Sequence, residues 1–294
     1  MPVTIAISID DACASLDAHP GALVLAGGTD LVVEVNRGVR RIDHVVAVDR
    51  IPELRGWSIE GDHDPVHGQV LRLGAGTTCA DLAEPALASL VPALAQAART
   101  VGSPQIRNAA TLGGNLATAS PAGDTLPVLA ALDAEVELRS TDGTRRLPLD
   151  EFVTGVKANA LNPGELITAI RVRVLDGPQE FLKVGTRNAM VIAVTSLALV
   201  VDRPGRTVRV ALGSVAPVPL RATEAEVLMA ERLDFEGLTT PEPELVNRFS
   251  ELVADAARPI DDHRSSAAYR THAVGVLARR AILRAFSGPV PEPA

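Results

Sequence analysis

The sequence predicts an α+β protein built from two or three packed units. Its 294 residues are more than one compact core usually holds, so several units should share the chain. Short β-prone runs and helical stretches are mixed along residues 1–177, and two further strands followed by three helical segments come after them. Nearly half of the residues are hydrophobic and 22% are charged, which is the balance of an ordinary globular protein.

Two units are predicted in the first 177 residues, 1–55 and 56–177, with a boundary near Arg55. In the first unit, Gly38 supplies the C-cap of a helix. In the second unit, Thr78 and Asp81 have the spacing of a capping box at the start of one long helix that ends near Val101. The elements predicted in the first unit are strands at 22–26 and 44–48 and a helix at 29–36; those in the second are paired strands at 57–59 and 70–73, an irregular segment at 102–124, a helix at 125–132 and strands at 135–139 and 166–174.

The pair Gly177-Pro178 is the predicted boundary to a C-terminal domain at 178–287, followed by a tail at 288–294. The domain begins with two strands and continues with helices, so it is also of mixed composition. Its predicted elements are strands at 190–201 and 207–212, a turn at 203–205, and helices at 222–230, 243–257 and 265–285.

Composition argues against several classes of function. An aromatic content of 2% and a net charge of −8 disfavour stacking on nucleic-acid bases and binding to a phosphate backbone. Cys13 and Cys79 are too few to hold an iron–sulfur cluster or to form a disulfide scaffold.

Without a recognisable leader or an apolar run of about 20 residues, the chain is expected in the cytoplasm. His63 and His67 lie in a polar loop, and no metal site is predicted there.

The segment Ala26-Gly27-Gly28-Thr29-Asp30 connects a predicted strand to a predicted helix. Glycines at such a turn let the backbone approach a phosphate closely, and free N–H groups at a helix start favour an anion. A Gly-Gly pair is also common turn chemistry, so this segment alone leaves both interpretations open. The chain has neither the G-x-G-x-x-G fingerprint here nor a P-loop elsewhere.

A second glycine pair lies in the predicted irregular segment, at Thr111-Leu112-Gly113-Gly114-Asn115. Hydroxyl and amide side chains surround it as far as Asp124, so the segment offers donors and acceptors to phosphates and to sugar hydroxyls. By itself it could equally be a structural surface loop. Two such loops, brought together on one diphosphate, would form a dinucleotide site.

Three segments together resemble the FAD-binding medium subunit of the molybdenum hydroxylases, a family that includes the flavin subunits of bacterial xanthine dehydrogenases and of aerobic carbon monoxide dehydrogenases. They are AGGTDL at 26–31, IRNAATLGGNLATASPAGD at 106–124 and KVGTRNAMVIAVTSLAL at 183–199. The segment SSAAYRTHAVGVLARRAI at 265–282 resembles the C-terminal helix of such subunits. The resemblance implies a vanillyl-alcohol-oxidase-type FAD-binding domain of two α+β subdomains, followed by a smaller α+β C-terminal domain.

The resemblance also implies which residues hold FAD, and it implies no catalytic residue in this chain. Residues 26–31 would wrap the pyrophosphate with backbone N–H groups, and the second glycine pair would close on it from the other subdomain. Later residues are expected at the ribityl chain, at the flavin ring edge or, for Lys183, as a cation near the ring. The expected cofactor-binding residues are Ala26, Gly27, Gly28, Thr29, Asp30, Leu31, Thr111, Gly113, Gly114, Asn115, Thr118, Ser120, Asp124, Leu166 and Lys183.

Two of these residues have alternative roles. Asp124 could instead cap the helix that starts at Thr125, and Lys183 could form only a surface salt bridge. Some relatives shield the flavin with a tyrosine just after the K-x-G-x-R segment, where this chain has Ala189, Met190 and Val191. The resemblance therefore leaves the electron acceptor open.

The family implies a division of labour among subunits. A large molybdopterin subunit would hydroxylate the substrate, a small subunit would hold two [2Fe–2S] clusters, and this chain would pass electrons to NAD⁺, oxygen or another acceptor. One alternative is a stand-alone flavin oxidase or reductase of the same fold, but the sequence offers no His-plus-carboxylate pair on a suitable loop. The other is a non-catalytic binding module, which would be colourless when purified.

Overall fold

The computed structural model describes residues 2–39, 42–61 and 69–286. The loop with His63 and His67 and the predicted tail at 288–294 lie outside the described residues. Within them, three larger β-sheets and one short hairpin carry helices on their faces, as expected for an α+β protein. In the described part of the chain, no helix combines the length and apolar character needed to cross a membrane.

The first unit is a parallel sheet of three short strands with two helices. A helix that the sequence pattern did not predict buries Ala12, Cys13 and Leu16 in a small core that also contains Leu54 and Leu166. This core joins the first unit to the second. The elements are β1 (Val3–Ile5), α1 (Ile9–Ala18), β2 (Leu23–Leu25), α2 (Leu31–Asn36), β3 (Val45–Ala47) and a 3₁₀ turn at Pro52–Leu54, with β3 as the central strand.

The second unit contains an antiparallel sheet of five strands and a short hairpin. The sheet order is β4-β5-β10-β6-β7, so the strand that comes last in the sequence lies at the centre. Its strands, in chain order and with the hairpin strands β8 and β9, are β4 (Trp57–Glu60), β5 (Gln69–Gly74), β6 (Glu135–Ser140), β7 (Gly143–Pro148), β8 (Val153–Gly155), β9 (Ala158–Asn159) and β10 (Leu166–Val174).

The helices of the second unit differ from the sequence prediction in two ways. The expected long helix is three helices, because Pro85 and Pro92 have no N–H for an intrahelical hydrogen bond and each begins a new helix. The expected irregular segment contains two short helices, which start after the N-caps Ser103 and Thr111. The helices are α3 (Cys79–Leu82), α4 (Pro85–Leu90), α5 (Pro92–Thr100), α6 (Pro104–Ala109), α7 (Leu112–Thr118), α8 (Thr125–Ala131) and α9 (Leu149–Phe152).

The C-terminal unit is an antiparallel sheet of four strands between two helical layers. The helices at 223–232 and 267–286 pack on one face, and the helix at 243–256 packs against both of them. Because α5 and α8 contact the other face, the core of the second unit continues through residues such as Phe181 and Val200. The strand expected from residue 190 begins only at Thr195. The elements are β11 (Gln179–Val184), β12 (Thr195–Asp202), β13 (Thr207–Gly213), β14 (Leu220–Arg221), α10 (Thr223–Arg232), α11 (Pro243–Ala256) and α12 (Ala267–Phe286).

Candidate functional site

The two glycine turns are in direct contact. A Cβ atom on Gly27 would lie 1.7 Å from the carbonyl oxygen of Ala109 and 2.4 Å from its carbonyl carbon. The backbone of the first turn therefore rests on the end of α6, and only glycine allows this approach. The structure thus brings segment 26–31 from the first unit against segment 106–124 from the second, as the sequence interpretation requires.

The second turn is fixed to the loop that follows β5. The N–H of Leu112 donates to the carbonyl of Thr77 at 2.9 Å, and the N–H of Gly113 donates to the carbonyl of Ala75 at 2.8 Å. A Cβ on Gly113 would lie 2.7 Å from the Ala75 Cβ, so this glycine is needed for packing. The N–H of Gly114 donates to the Thr111 hydroxyl at 3.1 Å, which caps α7.

The two turns differ in the backbone donors that they offer. The N–H groups of residues 27–31 donate to no acceptor among the described residues, whereas those of residues 112–114 are all used within the protein. Gly28, with φ of +70°, allows the first turn to present this row of groups. A row of unpaired backbone N–H groups at a strand-to-helix turn favours an anion. The second turn can border such a ligand through its small size, but it supplies no free N–H from residues 112–114.

Gly114 has a single neighbouring group on its side-chain side. A Cβ there would contact only the Thr111 Oγ1, at 2.9 Å. The Thr118 hydroxyl donates to the Gly114 carbonyl at 2.9 Å and lies 3.4 Å from an oxygen of Asp30, so it links the two turns. Thr118 therefore joins the Gly114 carbonyl to the first turn.

Asn115 and Ser120 hold the polar segment in shape. The Thr125 hydroxyl donates to the Asn115 side-chain carbonyl at 2.6 Å, which ties α7 to α8. The Ser120 hydroxyl accepts from the Ala122 N–H at 3.3 Å. Both side chains are half-buried, so they remain accessible on one side.

Asp124 and Lys183 form a buried ion pair. Lys183 Nζ lies 2.5 Å from Asp124 Oδ2 and also donates to the Thr100 carbonyl at 3.1 Å, while the Thr100 hydroxyl donates to the same carboxylate oxygen. Burial raises the pKa of the Asp124 carboxyl, and the Lys183 ammonium and the Thr100 hydroxyl act against that shift. The Asp124 side chain makes no capping hydrogen bond to α8, and Lys183 is not on the surface.

The other oxygen of this carboxylate, Asp124 Oδ1, is buried without a hydrogen-bond partner in the described structure. An unpaired buried acceptor is costly, so it indicates a donor that arrives with a ligand or a solvent molecule. The sequence motif marked Asp124 as a site residue. Nothing in the sequence marked Thr100, which completes the group from the end of α5.

Two further segments border this region. Lys157, in the turn between β8 and β9, forms an ion pair of 2.9 Å with Glu34 of α2, and its N–H donates to the Ala119 carbonyl. The 185–193 segment follows Lys183, and it is closed by a 2.8 Å hydrogen bond from the Val194 N–H to the Val184 carbonyl. The sequence interpretation missed Lys157, because no local pattern connects it to α2.

Leu166 differs from the other predicted residues in its surroundings. It is 4% exposed and packs in the core shared by the first and second units. Little of its surface is left to contact a ring, so its predicted role at the flavin stays a prediction. In the ranges that the structure describes, no group of three or more His, Cys, Asp or Glu side chains could hold a metal ion.

Comparison with known proteins gives matches along almost the whole chain. The family described as the FAD binding domain in molybdopterin dehydrogenase matches residues 1–173, and the CO dehydrogenase flavoprotein C-terminal domain matches residues 180–285. The glyceraldehyde dehydrogenase medium chain of Sulfolobus acidocaldarius is 32% identical, over 93% of this chain and 94% of that one. The carbon monoxide dehydrogenase medium chain of Hydrogenophaga pseudoflava is 30% identical, over 90% of each.

Among solved structures, the reconstituted CO dehydrogenase from Oligotropha carboxidovorans contains a chain of the same fold. The TM-score is 0.87 at 29% identity, and the match covers 98% of both chains. The fold agreement confirms the expected α+β class with an FAD-binding domain and a C-terminal domain.

Proposed function

This chain belongs to the FAD-binding subunits of the molybdenum hydroxylase family, and from that premise we propose that it carries electrons from the [2Fe–2S] clusters of a partner subunit to an acceptor such as NAD⁺. The observation that carries the proposal is the contact of the two glycine turns beside a row of unpaired N–H groups at residues 27–31. FAD, when bound, supplies the chemistry, because a flavin can exchange electrons singly or in pairs.

We assign the roles of this chain's residues from their surroundings. The N–H groups of residues 27–31 would bind the pyrophosphate, since they form the accessible row of unpaired donors. Gly113 and Gly114 would border it without donating, and Asn115, Thr118 and Ser120 would face the sugar-like chain. The unpaired Asp124 Oδ1 would accept a hydrogen bond from a ligand hydroxyl. Lys183 would orient Asp124 through their ion pair and place a cation next to the flavin.

We also propose the domain division 1–177 and 178–287, with subdomains at 1–55 and 56–177. The family matches at 1–173 and 180–285 support it, as does the separation of the sheets between β10 and β11. The partners would be a large molybdopterin subunit and a small [2Fe–2S] subunit, by analogy with the multi-subunit enzymes among the relatives. We place the assembly in the cytoplasm.

The variant Gly114→Val tests the cofactor site. Valine would add bulk at a residue that we place against the pyrophosphate, and its Cβ would meet only the Thr111 hydroxyl, at 2.9 Å, so we expect loss of FAD retention with a retained fold. Flavin absorbance of the purified protein and far-UV circular dichroism measure the two properties. The control is Gly155→Ala, whose Cβ meets Ala158 at an ordinary 3.7 Å. Normal flavin content in Gly114→Val would contradict the site.

A second experiment tests the electron-transfer role. The isolated chain reconstituted with FAD should show negligible substrate-dependent hydroxylation, because it has only two cysteines for iron–sulfur ligands and they are far apart in sequence. Copurification from the native source should yield a molybdopterin protein and a cysteine-rich protein. Hydroxylation by this chain alone would overturn the multi-subunit role, and a purified full chain without flavin absorbance after reconstitution would favour a non-catalytic module.

A further inference from the structure

Arg270 is a buried arginine on α12 whose guanidinium joins three parts of the C-terminal unit. It is 4% exposed. Its Nη1 donates to the carbonyls of Val194 and Ser214, both at 2.8 Å, and its Nη2 donates to Asp262 Oδ1 at 2.6 Å. Val194 directly precedes β12 and Ser214 directly follows β13, so one side chain fixes the matching ends of two neighbouring strands.

Asp262 is the fixed counter-ion of this arginine. Its Oδ1 accepts from the N–H of Arg264 at 2.8 Å and of Ser265 at 3.1 Å. These backbone hydrogen bonds, led by that from Arg264, together with the guanidinium hold the pKa of Asp262 at about 2. The carboxylate is therefore charged at neutral pH, and the buried cation of Arg270 is paired.

Through Val194, Arg270 is connected to the 185–193 segment, the first of two segments outside the C-terminal helices. The N–H of Val194 donates to the Val184 carbonyl and closes the 185–193 segment. That segment starts two residues after Lys183, whose ammonium holds Asp124. The carbonyl that Arg270 binds thus belongs to the residue that directly follows the segment.

Through Ser214, Arg270 is connected to the second segment, which is the turn at Pro121. The N–H of Ser214 donates to the carbonyl of Pro121 at 2.8 Å, and its hydroxyl donates to the carbonyl of Ala193 at 3.2 Å. Ser214 adopts φ of +61°, an uncommon conformation for a residue with a side chain. Pro121 lies between Ser120 and Asp124 of the predicted cofactor loop. Ser214 therefore connects Arg270 both to that loop and to the end of the 185–193 segment.

We propose that Arg270 is a positioning residue of the flavin site, which fixes the 185–193 segment and the Pro121 turn relative to each other through Val194 and Ser214. The inference rests on the proposed function, since it takes these two segments to border the flavin. An arginine suits this role, because its planar fork can donate to two carbonyls and a carboxylate at once, and lysine cannot reproduce that geometry. The position is on a helix that supplies none of the predicted cofactor contacts.

The test compares Arg270→Met with the control Arg280→Met, which changes an exposed arginine on the same helix. Full-length apo chains are titrated with FAD, and the visible circular dichroism of the flavin is recorded at saturating FAD. Thermal unfolding of the apo chains is measured in parallel. In Arg270→Met we expect the dissociation constant of FAD to rise roughly tenfold, with an altered dichroism spectrum of the bound flavin. Arg270→Lys should restore part of both, and Arg280→Met should match the original chain.

The dichroism at saturation is the decisive measurement, because a general loss of stability does not change the spectrum of flavin that is bound. If Arg270→Met is too unstable to study, Asp262→Asn replaces it, since it weakens one of the three guanidinium bonds and should shift the spectrum in the same direction. An unchanged spectrum and FAD affinity, with only a lower unfolding temperature, would overturn the proposal. Failure of the original chain to bind FAD would instead overturn the proposed function on which it rests.

Discussion

Lys183 Nζ and Asp124 Oδ2 are 2.5 Å apart, and their side chains are only 8% and 7% exposed. The pair joins β11 of the C-terminal unit to the polar segment that carries the second glycine turn. One oxygen of the carboxylate is satisfied by Lys183 and Thr100, while the other has no hydrogen-bond partner in the described structure. This arrangement supports the view that Asp124 is oriented by the protein on one side and completed by a ligand on the other.

Replacing the Asp124 carboxylate should destabilise the folded chain, because it leaves the buried Lys183 without its partner. In Asp124→Asn, the buried Lys183 side chain loses its counter-ion, so we expect the free energy of unfolding to fall by about 3 kcal/mol. Urea unfolding of the apo chain measures it. The double variant Asp124→Asn/Lys183→Met removes the stranded charge and should lose less than the sum of the two single variants. Strict additivity would show that the two side chains are not coupled.

The contact at Gly27 should be intolerant of a single methyl group. In Gly27→Ala, the Cβ would meet the Ala109 carbonyl oxygen at 1.7 Å, so the two turns must separate. We expect a loss of roughly 1–3 kcal/mol of stability, as for other overpacked sites, together with loss of FAD retention. Gly155→Ala is the control for denaturant unfolding and flavin content. Unchanged flavin binding in Gly27→Ala would mean that the turns need not touch.

The two thiols should be unreactive in the folded chain. Burial, followed by the nearby Asp124 charge, raises the pKa of Cys79 to about 11, and burial also raises the pKa of Cys13. At pH 8 a thiol reagent should label neither cysteine in native protein and both in urea. Because an unfolded thiol ionises near pH 8.5, Cys79 should also make stability fall as pH rises from about 8.5 to 11. Rapid native labelling of Cys79 would contradict its burial.

Acid should weaken the C-terminal unit through Asp262. Its pKa is about 2 in the folded chain, below the value near 3.9 of an unfolded aspartate. The stabilisation is therefore present above about pH 4 and is lost as the pH falls towards 2. Asp262→Asn should lower the urea midpoint at pH 6 but flatten its fall between pH 4 and pH 2, while the exposed control Asp255→Asn should behave like the original chain. Parallel curves for Asp262→Asn and the original chain would refute the shift.

Local signals predicted the elements that carry their own caps and turns. The capping box at Thr78, the left-handed Gly38 that follows α2 and the antiparallel pairing of β4 with β5 agree with the predictions made from neighbouring residues. The prediction of an irregular segment at 102–124 was wrong, because it rested on composition. The short helices α6 and α7 begin after the N-caps Ser103 and Thr111, among residues that are typical of loops. The prediction of one long helix ending near Val101 was also wrong. It used the spacing of apolar residues, which does not take into account that Pro85 lacks an N–H and so begins a new helix.

The candidate site could be predicted only in outline. The two glycine turns and their contact follow from motif and resemblance, but the unequal supply of donors does not. Which N–H groups are free depends on carbonyls such as that of Ala75, which are distant in sequence. Thr100 and Lys157 were missed for the same reason, since they reach the site from a helix end and a hairpin that no motif connects to it.

The position of β10 sets an order of events during synthesis. This strand lies between β5 and β6, yet it is translated after both. The Ala75 N–H, whose residue also holds Gly113, donates to the Thr168 carbonyl in β10. On the ribosome, the edges of β5 and β6 that face the sheet centre stay unprotected until Val174 has emerged, and a nascent chain that stalls earlier presents those edges to other chains. The loop that holds the second glycine turn therefore gains its hydrogen bond to β10 only after residue 168 has been translated.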